Sequence, residues 1–253
     1  MGKEMKRSTL ATLTIGLAAC FALIGVNGAA DITTLPNGDG FESGSLGSDW
    51  RTESTGTVEP RTTTTAYGTY SLYLTNDTAT LDIDVADLTN AWVQIYAKPA
   101  PYDGDPLDQV VADATAAFCV NVDGELRVYD NDSWETAATG LPTDEWMGFA
   151  IHLDYSLEQW RLYYTTASYE TLQTMTEGTG GPYAFNSGAA ELLTNVQVTT
   201  ELEGYCDMVT VSLGETSSIN LEDSVAVTTY GNNETNLVAL ADMNYSTTNT
   251  LAG

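Results

Sequence analysis

Basic side chains are scarce in this sequence. Eight Lys and Arg stand against 35 Asp and Glu in 253 residues, a formal net charge of −27. DNA, RNA and anionic lipid head groups are bound through clustered Lys and Arg, so the balance excludes nucleic acid and anionic membrane surfaces as partners. There is one histidine, His152, and no CxxC, HExxH or glycine-rich phosphate loop, which removes the common zinc, redox and nucleotide sites. No segment carries a sustained helical period. What is present is apolar and aromatic: 43% hydrophobic residues, with five Trp and 14 Tyr, too many for an acidic disordered chain. The length suits one sandwich-sized domain or two small ones.

The longest apolar run lies near the amino terminus. Lys3, Lys6 and Arg7 precede an almost unbroken apolar or small stretch from Leu10 to Val26, and Gly28, Ala29 and Ala30 follow. This pattern predicts an export signal over residues 1–30, cleaved after Gly28 or Ala30. An alternative is Leu17-Ala-Ala-Cys20, which resembles a bacterial lipobox with Cys20 lipidated, but apolar Phe21 to Val26 is unlike the start of a mature lipoprotein. The protein is expected to be secreted or to sit at the envelope or surface of a bacterial cell. Removing residues 1–30 takes away three bases and one acid, leaving a formal charge of −29. Two cysteines remain, Cys119 and Cys206. Export permits a disulfide closing a loop of 87 residues, which would contribute ~4 kcal/mol in the chain-entropy model; two buried thiols on separate strands are the other reading.

From Asp31 onward, Gly, Asn, Asp, Ser and Thr clusters separate short segments rich in Val, Ile, Thr, Tyr and Trp, the punctuation of an all-β protein. Strands are predicted at 69–75, 80–85, 91–97, 114–122, 125–129, 146–153, 159–164, 192–199 and 205–213. Met147, Phe149, Ile151 and Leu153 alternate with Trp146, Gly148, Ala150 and His152, giving one apolar and one mixed face. Asn121-Val-Asp-Gly124 reads as a hairpin turn, and Asp130-Asn-Asp-Ser133 as the next. This spacing without βαβ alternation predicts two antiparallel sheets packed face to face over residues 31–213. Residues 214–253 are a polar extension or linker whose short apolar runs, Val225, Val227 and Leu237 to Leu240, could add an edge strand.

Particular segments go further. Gly38-Asp-Gly-Phe-Glu-Ser-Gly-Ser-Leu46 with Trp50, and Ala66-Tyr-Gly-Thr-Tyr-Ser-Leu-Tyr-Leu74, resemble the opening of concanavalin A-like jelly rolls of the LamG and MAM type. Ala117 to Leu126 resembles the family's ligand-face hairpin. Trp146 to Asp154-Tyr-Ser and Trp160-Arg-Leu-Tyr163 resemble its central pair, and Tyr205-Cys-Asp-Met-Val-Thr-Val211 its closing strand. One departure is Cys206, where the family often has the first of two Asp. The resemblance implies a curved β-sandwich, which hosts lectins, adhesion modules, hydrolases and lyases alike. It also implies a structural Ca²⁺ tying first to last strands, with Asp39, Glu42 and Asp207 as oxygen donors. The same carboxylates could instead hydrogen-bond backbone at the sheet edge. Asp130, Asn131 and Asp132 form a second oxygen-rich loop, which is also ordinary turn chemistry.

The laminarinase-like branch carries paired carboxylates on one strand, and the nearest pattern here, Asp82, Asp84 and Asp87, lacks Glu and precedes the Trp92 strand; no catalytic residue is assigned. His152 has no nucleophile motif beside it and reads as a solvated or hydrogen-bonded strand residue. Sugar recognition needs flat rings and hydroxyl-pairing groups; Tyr96, Tyr102, Trp134, Tyr163 and Tyr183 are the candidate platform, while Trp92, Trp146 and Trp160 fall where the family builds its core. The expected function is noncatalytic, glycan binding or adhesion to a cell-surface component. The alternatives are a structural envelope or matrix protein without a specific ligand and a polysaccharide-degrading enzyme.

Overall fold

Alternating apolar residues divide most of this chain between a core and an outer surface. The computed structural model describes residues 12–16, 37–85, 89–99, 114–166, 175–186 and 192–213. Among these the strands are β1 (Thr12–Gly16), β2 (Asn37–Asp39), β3 (Trp50–Thr52), β4 (Thr57–Arg61), β5 (Ser71–Asp82), β6 (Asn90–Lys98), β7 (Ala114–Val120), β8 (Leu126–Asp130), β9 (Ser133–Ala138), β10 (Met147–Asp154), β11 (Gln159–Thr165), β12 (Thr176–Glu177), β13 (Tyr183–Ala184) and β14 (Asn195–Leu213). The protein is an all-β jelly-roll sandwich. One layer runs β2–β14–β6–β10–β11, with β12 and β13 along the far edge of β11; the other runs β5–β14–β1–β7–β8–β9, with β3 and β4 on β5. Strand β14 belongs to both layers. Its first half pairs with β5 and β1, its second half with β6 and β2.

The core lies between the layers. Val93 and Ile95 of β6, Phe149 and Ile151 of β10, Trp160 and Leu162 of β11, and Phe118 of β7 all face it. Phe118 and Phe149 meet across it with ring centroids 5.0 Å apart. Each fully buried aliphatic or aromatic side chain contributes roughly 1.5–3 kcal/mol of transfer free energy, which is what holds the layers together.

Strand β14 differs from the sequence reading. Residues 192–199 and 205–213 are not two strands but parts of one, because the polar spacer is absorbed as a bulge. Thr200 lies opposite Asp77 and Glu203 opposite Thr75, so β14 carries one extra residue there. The matching segments 69–75 and 80–85 are likewise one strand, β5. Asn76, at φ 50°, bends it. The Asp77 carboxylate accepts from Glu53 N at 3.2 Å and Gly56 N at 3.1 Å, fixing the bend against the β3–β4 turn. A second bulge at Asp207–Met208 shifts the β14–β6 register. The hairpin at Asn121–Gly124 and the turn at Asp130–Ser133 form as the sequence indicates.

The disulfide does not form; Cys119 and Cys206 are both buried thiols. Cys206 packs in the core, whereas Cys119 sits between Phe118 and Val120, which face the core, and so turns the other way. Burial pushes the Cys206 thiol well up, which keeps it protonated. Of the three tryptophans expected in the core, only Trp160 is there; Trp92 is buried on the opposite face of its sheet, and Trp146 is partly exposed. Residues 12–16, read as part of an export signal, are β1. Tyr102, Asp87 and the extension 214–253 lie outside the described residues.

Candidate functional site

With Ala91, Val93, Ile95 and Ala97 in the core, Trp92, Gln94, Tyr96 and Lys98 must project from the other side of β6. Register extends this face across the sheet. Gly148 lies opposite Tyr96 and His152 opposite Trp92, while Arg161 of β11 lies opposite His152. At its centre the Trp92 ring stacks on Tyr163 at 5.8 Å and tilts against His152 at 4.7 Å. His152 Nε2 is 3.0 Å from Asn90 Oδ1, and burial holds the imidazole below its ordinary range, so it is neutral near pH 7. It is the hydrogen-bonded strand histidine of the sequence reading. The indole N–H of Trp92 finds no acceptor among the described residues. Arg161 pairs with Glu177, setting a guanidinium and a carboxylate beside Tyr163. Gly148 forms the floor under Tyr96: a Cβ there would sit 3.2 Å from the Tyr96 ring and 3.0 Å from Thr165 Cγ2.

Toward the Lys98 end the same face opens into a cleft of about 360 Å³, lined by Lys98, Pro99, Thr143, Asp144, Leu202, Glu203 and Tyr205. Register places Tyr205 directly opposite Lys98. The Tyr205 hydroxyl donates to Glu203 Oε1 at 2.7 Å, and burial together with that hydrogen bond pushes the phenol up to about 12. Lys98 Nζ lies 3.1 Å from Asp144, an exposed pair that contributes little to stability. Behind Tyr205 the rings continue: Tyr73 at 5.2 Å and Trp146 at 6.5 Å, with the Arg61 guanidinium over Tyr73 and the Trp146 indole N–H donating to Thr64 Oγ1 at 3.1 Å. Leu202 is 58% exposed because the bulge in β14 pushes it outward. The arrangement offers apolar ring surface flanked by two carboxylates and an ammonium.

The carboxylates expected to hold a cation converge at another corner. Asp207 Oδ2 accepts from Ala66 N at 3.1 Å and Tyr67 N at 3.0 Å, and Oδ1 from Met208 N at 2.8 Å. Glu42 accepts from Thr69 N and Tyr70 N, and Asp39 Oδ1 from Phe41 N at 2.7 Å. Gly68, at φ 64°, makes this possible, since a Cβ there would lie 2.3 Å from Glu42 Oε1. N–H donors thus face these oxygens, the hydrogen-bonded alternative of the sequence reading. Among the described residues no group of three or more His, Cys, Asp or Glu side chains is arranged to hold a metal. Asp207 is fully buried, and desolvation, reinforced by Glu42, drives its carboxyl up to about 8 against the pull of its three backbone donors. Asp130 Oδ1 of the second oxygen-rich loop accepts from Ala184 N at 2.6 Å.

The sequence-derived platform is dispersed. Tyr96 and Tyr163 share the face described above, Tyr183 lies in the core against Trp160, and Trp134 packs on Tyr129 on the outer side of the other layer. Asp82 is held by Arg51 at 2.7 Å, and Asp84 is exposed. The cleft residues Lys98, Asp144, Glu203 and Tyr205 were not foreseen, because only the pairing of β14 with β6 joins them.

No family model matches the chain, and no curated protein matches it. Among solved structures it is similar to the cellulose-induced protein Cip1, at 12% identity and TM-score 0.44, covering 69% of this chain and 96% of that one. It is also similar to the C-terminal family 22 carbohydrate binding module of Clostridium thermocellum Xyn10B, at 17% identity and TM-score 0.32, covering 71% and 94%. A third is the GH43 protein BlXynB of Bacillus licheniformis, at 9% identity and TM-score 0.44, of which this chain spans 39% while 70% of its own length is covered.

Proposed function

We propose that this is an exported, noncatalytic jelly-roll protein that binds a glycan across the outer face of the β14–β6–β10–β11 sheet, with the Lys98 end as its main contact. The cleft carries this reading: its volume falls within the range of small-ligand sites, and it combines ring and aliphatic surface for a sugar's apolar face with carboxylates for its hydroxyls. Removing one charged acceptor of a sugar hydroxyl costs roughly 1.5–3 kcal/mol, about ten- to a hundredfold in affinity. Glu203→Gln is therefore expected to weaken binding by that factor, and Trp146→Ala to weaken it too, on an array of neutral, amino and acidic glycans followed by calorimetry on the best. Trp134→Ala, on the other layer, is expected to change nothing. Uniform absence of binding would favour a structural envelope protein, and release of reducing ends from a polysaccharide would favour an enzyme. A Ca²⁺ at Asp39, Glu42 and Asp207 is part of the proposal, supported by the nearness of the buried Asp207 carboxyl to Glu42 and opposed by the N–H groups on their oxygens.

A further inference from the structure

Opposite charges meet in unequal number in the cleft at the Lys98 end. Its lining carries one ammonium, Lys98, and two carboxylates, Asp144 and Glu203. Lys98 Nζ is committed to Asp144 at 3.1 Å, which leaves Glu203. The other cation near Tyr205 is Arg61, and it too is taken: its guanidinium lies over the Tyr73 ring and pairs with Glu59. Among the described residues Glu203 therefore meets no cation; its partner is the uncharged Tyr205 hydroxyl, which donates to Oε1 at 2.7 Å. Tyr205 is buried, paired by register with Lys98 and packed on Tyr73 and Trp146, so that hydroxyl is a fixed point. One oxygen of Glu203 is held by it, while the exposed side chain leaves the other, Oε2, open to a ligand. Leu202, turned outward by the bulge, adds apolar surface at the same opening.

We propose that the glycan taken by this cleft is an amino sugar with a free amine, its ammonium donating to Glu203 and its ring lying on Leu202. The inference rests on the glycan-binding reading of the cleft and names the class of sugar. Charge decides among the classes. An N⁺–H donor to a carboxylate makes a hydrogen bond roughly twice as strong as one between neutral groups, so an ammonium gains more at Glu203 than a hydroxyl does. A uronate would have to displace Asp144 from Lys98 and bring a further negative charge beside Glu203. It would also approach against the field of a molecule of formal charge −27, whereas the same field draws a cationic sugar in.

Calorimetry on the full chain at about pH 6, where a primary amine is protonated, with tetramers of glucosamine, N-acetylglucosamine, glucose and galacturonate, tests this. The glucosamine tetramer is expected to bind about tenfold tighter than the glucose tetramer, the difference between a charged and a neutral hydrogen bond. It should also lose severalfold in affinity between ~50 mM and ~500 mM NaCl, while the glucose tetramer does not. Glu203→Gln, which keeps an acceptor for the Tyr205 hydroxyl, should bring the two level. Lys98→Gln removes the competing cation and should tighten the glucosamine tetramer about two- to fivefold; weakening would overturn the proposal. Asp84→Asn, an exposed acid beyond the Asp82 end of β5, should change nothing. A loss there equal to that of Glu203→Gln would reveal general attraction to an acidic surface and overturn the amino sugar, as would a glucose, acetylated or galacturonate tetramer binding as tightly as glucosamine. Each of these leaves the glycan-binding reading standing. Binding by none of the tetramers, with another glycan held on the array, overturns the amino sugar alone; an array without binding overturns both.

Discussion

Asp207 is a carboxyl group taken out of water. Its carboxyl is fully buried, stands near Glu42, and is raised to about 8 by desolvation. An unfolded Asp titrates near ~3.9, so the folded state binds the extra proton between the two values. The stability contributed by the neutral acid is complete below ~4 and is lost as pH rises through about 8, by at most roughly 1.4 kcal/mol per pH unit. His152 acts in the opposite sense. Its folded value is lowered, so its contribution is present above its ordinary range and lost as pH falls below it. Calorimetric midpoints are expected to decline from pH 6 to pH 9. Asp207→Asn should flatten that decline and lower the midpoint at pH 6, since an amide nitrogen cannot accept the N–H groups of Ala66 and Tyr67. Ca²⁺ bound at this corner would abolish the alkaline decline; a decline identical in Ca²⁺ and in chelator would remove the cation from the proposal.

At the scale of elements, β14 decides the site. One extra residue between Thr200 and Glu203 turns the strand from one layer into the other and pushes Leu202 outward beside Glu203 and Tyr205. Deleting Leu202 would restore the regular register opposite Thr75 and Asp77 without disturbing the pairing that follows. The expected result is a folded protein, judged by an unchanged near-ultraviolet dichroism spectrum, whose glycan binding is lost. Retained affinity would show that the bulge does not shape the contact. The sequence could not show this bend. Glu201 to Gly204 has the composition of a turn, and whether such a spacer reverses a strand or bulges it depends on the partner; here β5 bends at the same place, held by Asp77.

The whole molecule is strongly negative, and among the described residues its scattered cations are largely committed: Arg51 to Asp82, Arg61 to Glu59, Lys98 to Asp144 and Arg161 to Glu177. Self-repulsion among the remaining carboxylates is screened by salt, so the thermal midpoint is expected to rise by several degrees between ~10 mM and ~1 M NaCl, followed by calorimetry. A flat response would mean that the acids are too dispersed to oppose folding. The punctuated short segments were sufficient to state the all-β sandwich, and period-two alternation in Trp146 to Leu153 the core side of that strand, because a strand places successive side chains on opposite faces wherever it lies; the face of Ala91 to Ala97 was not legible, since Trp92, expected in the core, lies on the other side. Composition likewise carries the expectation that polyanions are not partners. Neighbours across sheets were decided only in three dimensions. Pairing residues more than a hundred positions apart brought Tyr205 to Lys98 and set Thr12–Gly16 between β7 and β14, while the packing of the two layers put Tyr183 in the core, Trp134 on the outer side of the other layer, and Cys119 and Cys206 on different faces. Local pattern fixes which face a residue takes, whereas its neighbour on that face depends on strand order and register, which are set by the packing of the whole chain.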